Sequence, residues 1–348
     1  MTLANNTPYA AEAIPFFAPD GREIVLVVVK ATFARVGQQA LRAERQMPVR
    51  LVDLPHVPAE TGFAPNGPFQ PAGPEAAPGD KGPPLEVSPR YPSDVAVEKR
   101  GMDVVFVADA VSRSPVRSLE VGLSLGPHAL GLRVHGERVF ERARGGLGFG
   151  PAVPFERRPL VWELAYGGTS DDFATVERQN PVGRGLAAGK LDGKPAPCIE
   201  EAASPLSPGK ATEPAGVGAV PTHWSPRAEH AGTFDQSWLE DRMPLAPHDY
   251  DVRAGNVAAP KLQLPEPLAP GAVVAALGVA PEGLWSFALP ELALVVRGRT
   301  KDGRLLTVRP RVDTLLCEPD QDRIELTARA VFPMGRGRTL LAEVMVDV

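Results

Sequence analysis

The chain has 348 residues, 43% of them hydrophobic, and a formal net charge of -5 with acids and bases both abundant. That is length for one large domain or two ordinary ones, and the mixed charge excludes a global field drawing nucleic acid or an anionic membrane. Thirty-nine prolines, about twice the ordinary frequency of roughly 5%, exclude a mostly helical chain, because an interior proline removes a hydrogen bond and clashes with the preceding turn.

From Met1 to Asp20 the chain carries Glu12 and no basic run, which reads against a secretory leader. The longest apolar run, Ile24 to Val29, is far too short to span a bilayer. Cys198 and Cys317 stand far apart; they permit one disulfide, form no metal spacing and point to a reducing compartment. A soluble, cytoplasmic protein is expected.

Glu23 to Val36 follows an Asp20-Gly21 turn signal and is dense in β-branched residues, so a buried strand is expected there. Residues 1–54 read as N-terminal strands of a β body. Residues 55–93 are crowded with Pro and Gly and read as an irregular surface excursion. The PxxP spacings from Pro65 to Pro74 also fit a polyproline ligand. Residues 94–154 hold the clearest hairpin: Val121, Leu123 and Leu125 alternate, Gly126-Pro127-His128 turns, and Leu130, Leu132 and Val134 resume. Eight arginines between Val111 and Arg158 face four glutamates there. A solvated strand face explains this bias, and an acidic partner is the sharper alternative.

Residues 155–260 form a loop-rich centre with three of the four tryptophans, Trp162, Trp224 and Trp238. Residues 261–348 read as C-terminal hairpins, with the possibility of a second β subdomain. Leu292 to Arg299 turns at Asp302-Gly303 into Leu305 to Arg309, Val312 to Cys317 precedes Arg323 to Val331, and Thr339 to Val348 closes the chain. The expected fold is mainly β, with sandwich-like antiparallel sheets, long ordered loops and little helix.

Catalytic vocabulary is sparse. Cys198 with His223 or His248, oriented by Asp235 or Asp249, makes a triad on paper, but Pro197-Cys198-Ile199 does not place the thiol at a helix start. No serine occupies a G-x-S-x-G elbow. His223 and His230, or His248 with Asp249, offer two metal donors without a third at defined spacing. The glycines at 145–150 and 183–185 match no phosphate cradle. No cofactor and no metal are expected. The central phrases read instead as braces: Gly167-Gly168 turning through positive φ, Arg184 donating to carbonyls, Asp235 accepting a tryptophan N–H, Arg227 forking onto Asp235 or Asp241, and Asp249 and Asp251 accepting backbone N–H groups.

Several phrases occur in one order: G-E-R-x-F (Gly136 to Phe140), E-x-A-Y-G-G (Glu163 to Gly168), N-P-V-G-R-G (Asn180 to Gly185), Ile199-Glu200, P-A-G-V-G (Pro214 to Gly218), W-S-P-R (Trp224 to Arg227), A-G-T-F-D-x-x-W (Ala231 to Trp238) and P-x-D-Y-D (Pro247 to Asp251). Together they resemble family 2169 of the domains of unknown function, from about the first strand to at least Pro290. Cys198 stands where that family usually has Asn, and Phe234 where it has Tyr. The resemblance implies a bacterial, non-enzymatic adaptor or chaperone of type VI secretion that helps load an effector, through a PAAR spike-tip protein or its carrier. No nucleic acid and no membrane insertion are expected. The motif residues carried as partner-binding candidates are Glu163, Tyr166, Gly167, Gly168, Asn180, Arg184, Glu200, Trp224, Arg227, Asp235, Trp238, Asp249 and Asp251. The competing expectations are a hydrolase or toxin using His248 and Asp249, and a purely structural module.

Overall fold

The strand expected from the β-branched run forms over Glu23–Val36 and organises the largest sheet of the computed structural model. Residues 1–56, 87–171, 173–186 and 190–348 are described. Most of the Pro-rich excursion, with its PxxP spacings, therefore lies outside the described residues. Its two ends meet where Leu54–Pro55 pairs with Pro89–Tyr91.

The largest sheet runs in the order Gln263–Leu264, Met102–Phe106, Arg311–Glu318, Arg323–Pro333, Glu23–Val36, Ala10–Phe17, with Gln39–Arg42 also paired to Glu23–Val36. Its pairings are antiparallel except for Met102–Phe106 against Arg311–Glu318. A five-stranded sheet runs Ile199–Glu201, His128–His135, Ser118–Leu125, Val273–Leu277, Leu284–Ala288. Its central hairpin is the one expected around Gly126, with Leu125 opposite His128. A four-stranded sheet runs Thr2–Asn5, Leu341–Asp347, Val295–Thr300, Leu305–Val308. The fold is mainly β, and the two α-helices among the described residues are short, Arg227–His230 and Gln236–Asp241.

Strand alternation decides how these sheets stack. Val25, Val27 and Val29, with Ala328, Ala330 and Phe332, pack on Val296, Val344 and Val346 of the four-stranded sheet. Farther along the same strands, Ala31, Phe33, Ile324 and Leu326 share a core with Leu123, Val274 and Trp285 of the five-stranded sheet. One apolar face thus serves two covering sheets.

The opposite face carries buried charge. Lys30 Nζ lies 2.7 Å from Asp94 and 3.0 Å from Glu325. Arg50 forks onto Glu325 at 2.7 and 3.0 Å. Arg329 pairs with Asp313 and donates twice to the Asp94 carbonyl. Lys99 sits 2.7 Å from Asp103 and donates to Thr314. Lys30, Lys99 and Asp103 are fully buried, so these charges persist only because each is paired. Arg50, Asp94 and Lys99 flank the excursion in sequence, and the network straps these flanking segments across the sheet.

Candidate functional site

Trp162 is the centre of the motif-bearing region. It opens a single 3-10 turn, Trp162–Leu164, and is buried. Its indole N–H donates to the Ala219 carbonyl at 2.9 Å. Trp224 meets it edge-on at a centroid distance of 6.3 Å. Gly216 lies over the ring so closely that a Cβ there would stand 2.8 to 2.9 Å from three ring carbons. This explains the glycine of the P-A-G-V-G phrase.

Asn180 locks the next turn. Its amide donates to the Trp162 carbonyl at 2.8 Å and the Tyr166 carbonyl at 2.9 Å. Tyr166–Gly167 pairs in parallel with Arg184–Gly185, and Gly167 and Gly168 take φ of 145° and 115°, the positive values expected of them. Glu163 is buried and accepts from the Ser88 N–H at 2.8 Å and its hydroxyl at 2.9 Å. Burial, the largest influence, holds the Glu163 carboxyl above the usual carboxylate range despite those bonds.

The other candidates divide between two flanks. Arg184 reaches Glu137 at 2.6 Å, a carboxylate it shares with Arg158, rather than donating to several carbonyls. Glu200 contacts His135 at 2.9 Å and accepts from the Leu206 N–H at 2.8 Å. On the opposite flank, Arg227 is buried and donates to the carbonyls of Val220 and Ala254, not to Asp235 or Asp241. Carbonyls are what the loops around it present. Asp235 accepts the Trp238 backbone N–H at 2.9 Å and caps the helix Gln236–Asp241. The Trp238 indole N–H goes instead to the Leu245 carbonyl at 2.8 Å. Asp249 accepts from the N–H and hydroxyl of Thr233, and Asp251 accepts from the Arg253 N–H and side chain. The reading of these two aspartates as backbone acceptors stands.

The contacts of the Cys198 thiol and of Asp249 are with other groups than those weighed for catalysis. Cys198 and Cys317 are free and buried. The Cys198 thiol lies 3.3 Å from Arg158 and 3.4 Å from the carbonyls of Gly136 and Ala196. His248 is exposed beside Asp249, whose oxygens hold the Thr233 turn. Among the described residues no three His, Cys, Asp or Glu side chains are grouped as a metal would require. Six of the eight biased arginines are engaged within the chain, for example Arg157 with Asp109 and Asp320, leaving the side chains of Arg142 and Arg144 exposed.

Two of the motif phrases reach a cavity of about 240 Å³, although none of the thirteen candidate residues themselves lines it. Trp162, Leu130, Leu132 and Val220 form its apolar wall, with Ala259 and Pro260 beside them. Gly216 and Ser225-Pro226 bring the P-A-G-V-G and W-S-P-R phrases to its rim. Glu201, Glu213, Glu229 and Lys261 supply the charge. Lys261 pairs with Glu201, and the Ser225 hydroxyl donates to Glu229 at 2.8 Å. Sequence reasoning missed Glu213, Glu229 and Lys261. They come from separate loops, and no spacing ties them together.

A second, more open depression of about 630 Å³ lies between the end of the edge strand Ala10–Phe17 and the short helices. Phe16, Phe17 and Phe234 are exposed along it, and Phe234 meets Trp238 edge-on at 4.8 Å.

No match was found among curated proteins or among solved structures. A family model described as "Uncharacterized protein conserved in bacteria (DUF2169)" matches residues 20–329, a span that takes in the largest sheet apart from its edge strand Ala10–Phe17 and the end of Arg323–Pro333, together with the Trp162 brace and the cavity. The chain belongs to that family.

Proposed function

We propose that this protein is a non-enzymatic adaptor or chaperone that binds a type VI secretion effector or a PAAR spike-tip protein in the cytoplasm and assists its loading. One observation carries this reading. The polar motif side chains are engaged in holding loops, yet the loops they hold leave a cavity and an apolar depression open to a partner. Rigid loops on a β scaffold suit recognition, and mixed charge around a small apolar centre suits an interface that must later release.

The test is co-purification with the effector and PAAR proteins encoded beside this gene. Retention of one of them, together with loss of effector export on deletion, is the expected result. If neither is retained and export persists after deletion, the adaptor reading is wrong.

A further inference from the structure

We infer that the Trp162 cavity receives a cationic side chain, arginine or lysine, presented by the partner protein. The inference rests on the binding reading above and names the chemistry of the contact. At about 240 Å³ the cavity exceeds the roughly 150 Å³ void that accepts a benzene ring, so a guanidinium on its aliphatic stem fits. Its wall is apolar where a stem would lie, along Leu130, Leu132 and Val220. The Trp162 N–H is already bonded to Ala219, so the buried indole adds apolar wall and no donor.

The polar groups then select the sign of charge. Lys261 is neutralised by Glu201, and the Ser225 hydroxyl is turned to Glu229. Glu213 has no ion pair among the described residues, and Glu229 has only the serine hydroxyl. Two carboxylates are therefore left without a countercharge at the mouth of an apolar pocket. Carboxylates accept and cannot donate, so the matching ligand is a donor that carries positive charge. An anionic or purely acceptor ligand would meet like charge.

The probe is N-acetyl-arginine amide, titrated calorimetrically into the full chain, with the citrulline analogue as its neutral isostere. The arginine compound is expected to bind at one site, and citrulline about tenfold more weakly or not at all. The double variant Glu213→Gln, Glu229→Gln is expected to lose about tenfold in arginine affinity while melting like the parent. The lysine amide, run in parallel, decides between guanidinium and ammonium. Equal binding of citrulline, an unaffected double variant, or no binding at millimolar probe overturns the inference. Tighter binding of free arginine than of the capped amide assigns the cavity to a metabolite and overturns it equally.

Glu213→Lys separates this inference from the adaptor reading. If the parent retains its effector or PAAR protein and Glu213→Lys retains it as well, the cavity has no part in the contact and the adaptor reading stands. If the parent retains neither while binding arginine amide selectively, the adaptor reading falls and the preference of the cavity for a cation stands.

Discussion

A methyl group at Gly216 would collide with the face of a buried tryptophan that cannot retreat, because the Trp162 N–H is tied to Ala219 and Trp224 abuts its ring. Gly216→Ala is therefore expected to destabilise by about 1–3 kcal/mol, the usual result of overpacking. Gly145→Ala, where nothing lies within 4 Å of the new Cβ, should stay within about 0.5 kcal/mol of the parent. Urea midpoints of the two variants make the comparison, and equal midpoints would refute the packing account of Gly216. Glu163 gives a pH-dependent prediction. Its carboxyl is held above the ordinary value by burial, so the folded state takes up a proton that the unfolded state has released. The stability linked to that proton is present below the unfolded pKa and is lost as pH rises through the raised folded value. Glu163→Gln does not titrate, so its stability relative to the parent should improve as pH rises from the ordinary carboxylate range through the raised folded value. Paired urea titrations check it, and a pH-independent difference would exclude an ionising, buried Glu163.

Strands were legible in the chain because period and turn chemistry are local: Glu23–Val36, the hairpin around Gly126 and both C-terminal hairpins formed where alternation and Gly or Pro signals placed them. Their neighbours across the sheet were not legible. Nothing local in Arg323–Pro333 says that Glu23–Val36 will lie beside it, although its Arg, Glu, Thr and Arg at every second residue do mark one charged face. The site was half legible for the same reason. Motif phrases located the brace, but the bonds of Arg227 and Trp238 go to backbone carbonyls that no residue pattern announces. The charged face carries its own prediction. Burial, the largest influence, pushes the carboxyls of Asp94 and Glu325 up, but Lys30 and Arg50 together outweigh it and leave both below their ordinary values. Depressed carboxylates contribute stability above the unfolded pKa of about 4, and that contribution is lost as pH falls through the folded values. Lys30→Met leaves both acids facing each other with less countercharge and should cost about 3–5 kcal/mol at neutral pH. The deficit should shrink in acid, where the carboxyls take up protons. A cost that is small at neutral pH, or constant with pH, would mean that Lys30 does not hold the strap.

At the scale of the molecule, the hairpin formed by Arg311–Glu318 and Arg323–Pro333 sits in the middle of the largest sheet, between Met102–Phe106 and Glu23–Val36. Leu341–Asp347 holds Thr2–Asn5 in parallel, so the last strand of the chain pairs with the first. The core under the brace is continuous with that of the largest and five-stranded sheets: Trp162 and Trp224 share one cluster with Leu315, Leu326 and Trp285. Removing residues 311–348 would therefore strip the centre of one sheet and an inner strand of the four-stranded sheet, with its pairings to both Thr2–Asn5 and Val295–Thr300, rather than detach a terminal unit. A chain ending at Pro310 is expected to lose cooperative unfolding altogether. The intact chain should unfold in one transition, with far-ultraviolet circular dichroism following all the sheets and fluorescence following the tryptophans of the brace and the five-stranded sheet. Two transitions resolved between those signals, or a cooperatively folded chain without residues 311–348, would show that the C-terminal strands form a body of their own. A single transition would instead mean that the cavity is held by the whole fold, so that a partner seated on the Trp162 brace would stabilise every sheet at once.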